Sequence, residues 1–373
     1  MTAANPSRPR FVAGSMGPTT KAITVTGGVT FPELVEHFRV QALGLLEGGS
    51  DLLLVETQQD TRNVKAAVLG IDRAIDELGI KVPIMISGTI EPMGTMLAGQ
   101  TADALVASLM HVDLLSIGLN CATGPEFMTD SIRSISELAR TRVSCVPNAG
   151  LPDEDGNYQE SPTAMADVLE RFVDHGWLNM VGGCCGTTPE HIATFAQMVE
   201  GKTPRAWADH HRALYSGIEL VEADEDNRPL LVGERSNVIG SRKFKRLIAD
   251  EKFEEASEIA RAQSKAGAHI LDVCLADPDR DEMEDMTRFL EQVIRKVKLP
   301  LMIDSTDAAV IEHALTYSQG KALINSINLE DGEERFEQVV PLATRYGAAL
   351  VVGCIDEDPE QGMAVTRQRK VEI

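Results

Sequence analysis

The 373-residue sequence predicts an α/β protein of two consecutive (β/α)8 barrels of the TIM type, the first lacking its initial strands and the second truncated at its C-terminus. Three observations predict it. Short apolar runs alternate with helix-period segments, the alternation breaks once in a polar stretch and restarts, and the apolar runs end in polar or small residues. Strands buried on both faces read as continuous apolar runs, and the amphipathic segments between them make βαβ units. Polar side chains at the C-terminal ends of many successive strands are where barrels carry chemistry. A doubly wound open sheet is the competing architecture, but it gathers its active residues at one switch point.

In the first part the apolar runs are 11–16, 51–57, 83–90, 114–120, 142–148 and 180–185, and the helical segments between and after them are 31–47, 61–78, 101–110, 128–140, 161–175 and 189–199. The stretch 201–229 is polar and irregular, with an acidic run at 222–226, and reads as a linker. Runs resume at 230–236, 269–275, 301–306, 322–327 and 348–355, with helical periodicity at 251–266, 284–298, 308–317 and 333–346. That makes six strand–helix units and then five, against the eight of a closed barrel, so the chain reads as a fragment of two barrels unless strands are miscounted.

Composition narrows the class. Net charge is −22, which opposes nucleic-acid binding and suits solubility or docking to a basic partner. No apolar run reaches the roughly 18 residues of a membrane helix, and residues 1–10 lack the apolar core of a signal peptide, so a cytoplasmic location is expected. The six cysteines, in a large chain without a secretion signal, point to metal binding or plain burial rather than disulfides.

Two segments stand out among them. Gly118-Leu119-Asn120-Cys121 closes one predicted strand, and Gly182-Gly183-Cys184-Cys185-Gly186 closes the last of the first part. Three thiolates with one open position are a catalytic zinc arrangement, and the flanking glycines let adjacent cysteines share one metal. A fourth thiol bound there loses its proton near neutral pH. The competing reading is that cysteines are small buried residues, and it is the preferred one for Cys145, Cys274 and Cys354. The glycine-flanked pair argues against it for Cys121, Cys184 and Cys185.

These motifs, with Val12-Ala13-Gly14, Gly17-Pro18-Thr19 and Val55-Glu56-Thr57, resemble the homocysteine S-methyltransferase family over about residues 8–200. The resemblance implies a zinc held by Cys121, Cys184 and Cys185, and places Glu56 and Asn120 near the amino-acid end of homocysteine. For Glu56, helix capping or a core ion pair is the alternative. The family's first strand, with an Asp-Gly-Ala-like turn, and its second strand have no counterpart here.

In the second part, Val232-Gly233-Glu234-Arg235-Ser236-Asn237, Leu271-Asp272-Val273, Ile303-Asp304-Ser305-Thr306 and Ile324-Asn325-Ser326 resemble the pterin-binding family over about 228–358. A carboxylate accepts two N–H bonds from a pterin edge, and an Asn amide both donates and accepts. The resemblance implies ring contacts from Asp304 and Asn325, then Asn237 and Asp272. For Glu234 and Arg235 an internal ion pair is the alternative to such contacts. The charged loop 277–282 reads as solvated. No phosphate-cradling motif occurs, and the nearest string to a cobalamin Asp-x-His-x-x-Gly, at 209–214, ends in Leu and is rejected.

Together the halves resemble the N-terminal modules of the cobalamin-dependent methionine synthase family. That implies a homocysteine and zinc-binding barrel at 1–200, a linker at 201–228 and a methyltetrahydrofolate-binding barrel at 229–373, with cobalamin carried by a module absent from the chain. A betaine- or S-methylmethionine-type homocysteine methyltransferase and a non-catalytic truncated fragment are the alternatives.

Overall fold

The computed structural model describes residues 6–206, 211–330, 332–355 and 362–373, so Asp209 and His210 of the rejected cobalamin string lie outside the described residues. The chain divides into two compact units, residues 1–106 with 112–211, and 107–111 with 212–373.

The first unit alternates β1 (Ala13–Met16), α1 (Phe31–Glu47), β2 (Leu52–Gln58), α2 (Thr61–Leu78), β3 (Ile84–Gly88), α3 (Ala102–Leu109), β4 (Ser116–Asn120), α4 (Thr129–Leu138), β5 (Arg142–Val146), α5 (Pro162–Asp174), β6 (Met180–Val181) and α6 (Pro189–Met198). Local chemistry sets the helix ends. Thr30 and Glu33 form a reciprocal capping box on α1, the Asp60 carboxylate caps α2, and Gly79 ends α2 in the left-handed region. The strands form one parallel sheet in sequence order, β1 to β6. Leu53, Val55, Ile86, Leu119 and Val143 from the sheet are buried together with Phe38, Ile71, Leu105, Ile132 and Leu169 from the helices. Each such side chain contributes about 1.5–3 kcal/mol by leaving water. At Gly118 a Cβ would stand 2.0 Å from the Ser144 carbonyl oxygen, so only glycine lets β4 lie this close to β5.

The second unit holds β7 (Leu214–Ser216), β8 (Leu220–Glu222), β9 (Val232–Gly233), α7 (Arg242–Ala249), α8 (Phe253–Lys265), β10 (Ile270–Val273), α9 (Glu282–Val293), β11 (Leu301–Asp304), α10 (Ala308–Leu315), β12 (Leu323–Ile327), α11 (Glu334–Tyr346), β13 (Ala349–Val352) and α12 (Arg367–Glu372). Strands β9 to β13 again form a parallel sheet in sequence order. Ile270, Met302 and Leu323 of its strands form a buried cluster against which Tyr215, Leu230, Val232, Ala349 and Val351 pack.

Strand counts of six and five agree with the sequence reading, and neither sheet reverses its order, so there is no switch point. The observed architecture is two open parallel sheets: among the described residues β1, β6, β9 and β13 each pair on one side only.

Three expectations need correction. The segment read as a linker contains the antiparallel hairpin β7–β8, part of the second unit. Ser216 exchanges hydrogen bonds with Lys321, and the Ile218 N–H donates to the Lys298 carbonyl at 3.1 Å. Strands of three residues carry too little period to be read. The loop 277–282 is anchored rather than solvated: buried Asp277 pairs with Lys245 of α7 at 3.0 Å, and Arg280 forks onto buried Asp285 at 2.6 and 2.8 Å. Cys145 and Cys274 are buried as expected, but Cys354 is half-buried in the loop after β13.

Candidate functional site

The three cysteines meet at the C-terminal ends of β4 and β6. Cys121 follows β4 directly and turns the chain with φ of 63°, and Ala122 continues with φ of 57°. Such left-handed φ in residues other than glycine is held only where surrounding contacts enforce it. Here the Cys121 N–H donates to the Val146 carbonyl, and the Thr123 N–H to the Cys121 carbonyl. The Cys184 N–H donates to the Pro147 carbonyl at 2.8 Å, the Cys185 N–H to Asn148 Oδ1 at 3.1 Å, and the Thr187 hydroxyl to the Cys184 carbonyl at 2.7 Å. Gly186, at φ of 78°, lies against Tyr158, where a Cβ would stand 2.3 Å from the tyrosine Cβ.

This loop turns adjacent side chains to one point. Cys121 Sγ stands 3.7 Å from Cys185 Sγ, Cys184 Sγ stands 3.9 Å from Cys185 Sγ, and all three sulfurs lie within 4.8 Å of one another. Four ligands about 2.3 Å from a tetrahedral zinc stand about 3.8 Å apart, so the spacing fits three ligands of such an ion. Burial, then the nearby Cys121, pushes the Cys184 thiol up to about 12, and burial also raises Cys121. Burial thus favours the neutral thiol at Cys121 and Cys184, and a cation held by the cluster would favour the thiolate.

Asn120 is buried beneath the cluster with its amide engaged. Its Oδ1 accepts from the Thr57 N–H at 2.8 Å, and its Nδ2 donates to Thr57 Oγ1 at 2.7 Å and toward Cys184 Sγ at 3.8 Å. It thereby joins the ends of β2 and β4 under the sulfurs. Glu56, also at the end of β2, accepts from the Ser15 hydroxyl at 2.5 Å. Sequence reasoning assigned no site role to Ser15, Thr57, Asn148, Tyr158 or His191. The buried His191 ring accepts from the Thr188 N–H and bonds the Glu160 carbonyl, tying α6 to the loop that carries Tyr158. Thr57 and Asn148, polar residues ending predicted strands, left a readable signal.

The second unit gathers its polar residues at the same ends of β9 to β12. Asn237 Nδ2 donates to Asp272 Oδ2 at 2.9 Å and to Asp304 Oδ2 at 3.1 Å, so one amide bridges two carboxylates. Its Oδ1 accepts from the N–H groups of Ile239 and Gly240. Burial, opposed in part by the Asn237 bond, pushes Asp272 up to about 6; burial also raises Asp304. Asp272 is 2% exposed, and its Oδ1 is buried with no hydrogen-bond partner among the described residues. Asn325 lies beside Asp304 in register on the neighbouring strand. The Glu234–Arg235 ion pair is not formed; both side chains are exposed, and the Arg235 N–H donates to Gln263 Oε1. A partly buried site with a free carboxylate acceptor and an amide beside it suits a flat ligand with N–H donors along one edge.

Residues 1–199 match the family model described as homocysteine S-methyltransferase, and residues 233–373 match that described as pterin binding enzyme. Among solved structures the chain is similar to the apo homocysteine methyltransferase MmuM of Escherichia coli, at 23% identity and a TM-score of 0.42, covering 53% of this chain and 66% of that one. It is also similar to the dihydropteroate synthase FolP of Clostridium difficile with pteroic acid, at 11% identity and a TM-score of 0.25, covering 91% and 88%. A Streptomyces coelicolor isomerase matches at 13% identity and a TM-score of 0.32, covering 54% and 58%. No helix among the described residues is long and apolar enough to cross a membrane. The first family model spans more than half of the chain, and the protein belongs to the homocysteine S-methyltransferase family.

Proposed function

We propose that this family member methylates homocysteine to methionine, with methyltetrahydrofolate as the methyl source and cobalamin, on a module outside this chain, as the carrier. Residues 1–200 form the homocysteine module and 229–373 the folate module. The observation that carries the reading is the cluster of Cys121, Cys184 and Cys185 at the spacing of a tetrahedral metal's ligands. A zinc ion held there lowers the pKa of a thiol bound beside it, making homocysteine a ready nucleophile at neutral pH.

The chain's own residues do the rest. Asn120 and Thr57 hold Cys184 and the β2 end in place. Glu56 offers a carboxylate to the substrate ammonium, with Ser15 orienting it. In the second unit, the unpartnered Asp272 Oδ1 accepts an N–H from the pterin edge, and Asp304 and Asn325 line the same edge.

The test is homocysteine methylation by purified chain with free methylcobalamin, methyltetrahydrofolate, betaine or S-methylmethionine as sole donor. Turnover with methylcobalamin, lost in Cys184→Ser, supports the reading. Turnover with betaine or S-methylmethionine alone contradicts the donor assignment, a reading the pterin-family match of the second half disfavours.

A further inference from the structure

The ladder between β11 and β12 ends at the pair Asp304–Asn325, and the β12–β13 register shifts between Asn325 and Ile327. Beyond that point the carbonyls of Ser305, Thr306 and Ser326 find no strand partner in that ladder, yet they follow directly after the two side chains that line the candidate pterin site. Carbonyls left unmet at a strand end free the chain to splay. One side chain meets all three. Arg335, in the first turn of α11, donates from Nη1 to the Thr306 carbonyl at 2.7 Å and from Nη2 to the Ser305 carbonyl at 2.7 Å. Its Nε donates to the Ser326 carbonyl at 3.4 Å. A guanidinium presents five N–H donors in a rigid planar fork, so it can span two strands where an ammonium cannot.

We infer that Arg335 is a positioning residue of the pterin site: it replaces the backbone ladder where β11 and β12 part, and so fixes the spacing of Asp304 and Asn325. The inference rests on reading the second unit as a pterin site and adds a determinant outside its strand-end motifs. The guanidinium acts through backbone and touches no ligand. Its effect is on how well the Asp304 carboxylate and the Asn325 amide are preorganised, which binding sites need within about 0.5 Å.

The experiment measures tetrahydrofolate affinity by calorimetry on the full chain for the parent, Arg335→Ala, Arg335→Lys, Asn325→Ser and the Arg335→Ala/Asn325→Ser double variant, with melting followed alongside. The expected result is a loss of about tenfold or more in Arg335→Ala, with only part recovered in Arg335→Lys. The loss should shrink below about threefold in the Asn325→Ser background, because the two residues act through one geometry. A merely structural role would lower the melting temperature and weaken binding by the same factor in both backgrounds. That outcome, or folded Arg335→Ala and Arg335→Lys binding within about twofold of the parent, overturns the positioning role alone. A folded parent that binds no tetrahydrofolate overturns the pterin reading and the positioning role with it.

Discussion

The thiol mouth of the first unit and the carboxylate mouth of the second both stand toward the C-terminal ends of parallel strands in sequence order. They manage charge in opposite ways. In the first, three sulfurs converge, and burial raises the thiols of Cys121 and Cys184. In the second, Asn237 already bridges the two carboxylates, and one buried oxygen is left over. The first therefore wants a cation and the second an N–H donor. The same scaffold serves both: loops turn the three cysteines together in the first unit, and strand register sets Asp304 beside Asn325 in the second.

The largest effect expected is on metal affinity. Cys121→Ser should weaken zinc binding by about a thousandfold in competition with a chelator, and leave tetrahydrofolate binding within about twofold. Loss of both ligands together would break the comparison by showing that the units do not act separately.

Asp272→Asn should cost about ten- to a hundredfold in tetrahydrofolate affinity without changing zinc content. It should also remove a pH dependence. Burial raises Asp272 to about 6 in the folded protein, above its unfolded value, so the folded state binds the extra proton. Its contribution to stability is therefore greatest below about pH 4 and is lost as pH rises toward about 6, on the order of 2–3 kcal/mol in all. Urea unfolding of parent and variant at pH 4.5 and 7 checks this. The variant should gain on the parent as pH rises, and a constant difference would contradict the assignment.

Gly186→Ala should destabilise the first unit by about 1–3 kcal/mol, since the new Cβ combines a left-handed φ with a clash against Tyr158. Chemical unfolding with zinc present and absent measures it, and a larger loss with zinc bound would sharpen the link between that loop and the metal. The smallest effect expected is a control. Arg345→Ala breaks an exposed pair with Glu312 and should change stability by no more than about 1 kcal/mol and neither ligand's affinity.

Much of this was legible in sequence, for identifiable reasons. Strands buried on both faces announce themselves as apolar runs, and Gly182-Gly183-Cys184-Cys185-Gly186 joins a ligand type to the backbone freedom that ligands need. What was not legible depends on contacts distant in sequence. Thr57 matters because Asn120 reaches it across 63 residues, and Tyr158 because its ring lies on Gly186. The loop 277–282 looked solvated because its charges are visible in the sequence and its partner Lys245 is not adjacent to it. That partner sits on α7, whose buried Phe244, Leu247 and Ile248 are masked by four basic neighbours.

The most direct test of the thiol centre is a cobalt(II) titration of the purified chain, read in the near-ultraviolet sulfur-to-metal band and the visible d–d bands. The account predicts one equivalent bound tetrahedrally, with a charge-transfer intensity of three thiolates that rises to four when homocysteine is added. Weak octahedral bands, or an intensity of two thiolates unchanged in Cys184→Ser, would contradict it.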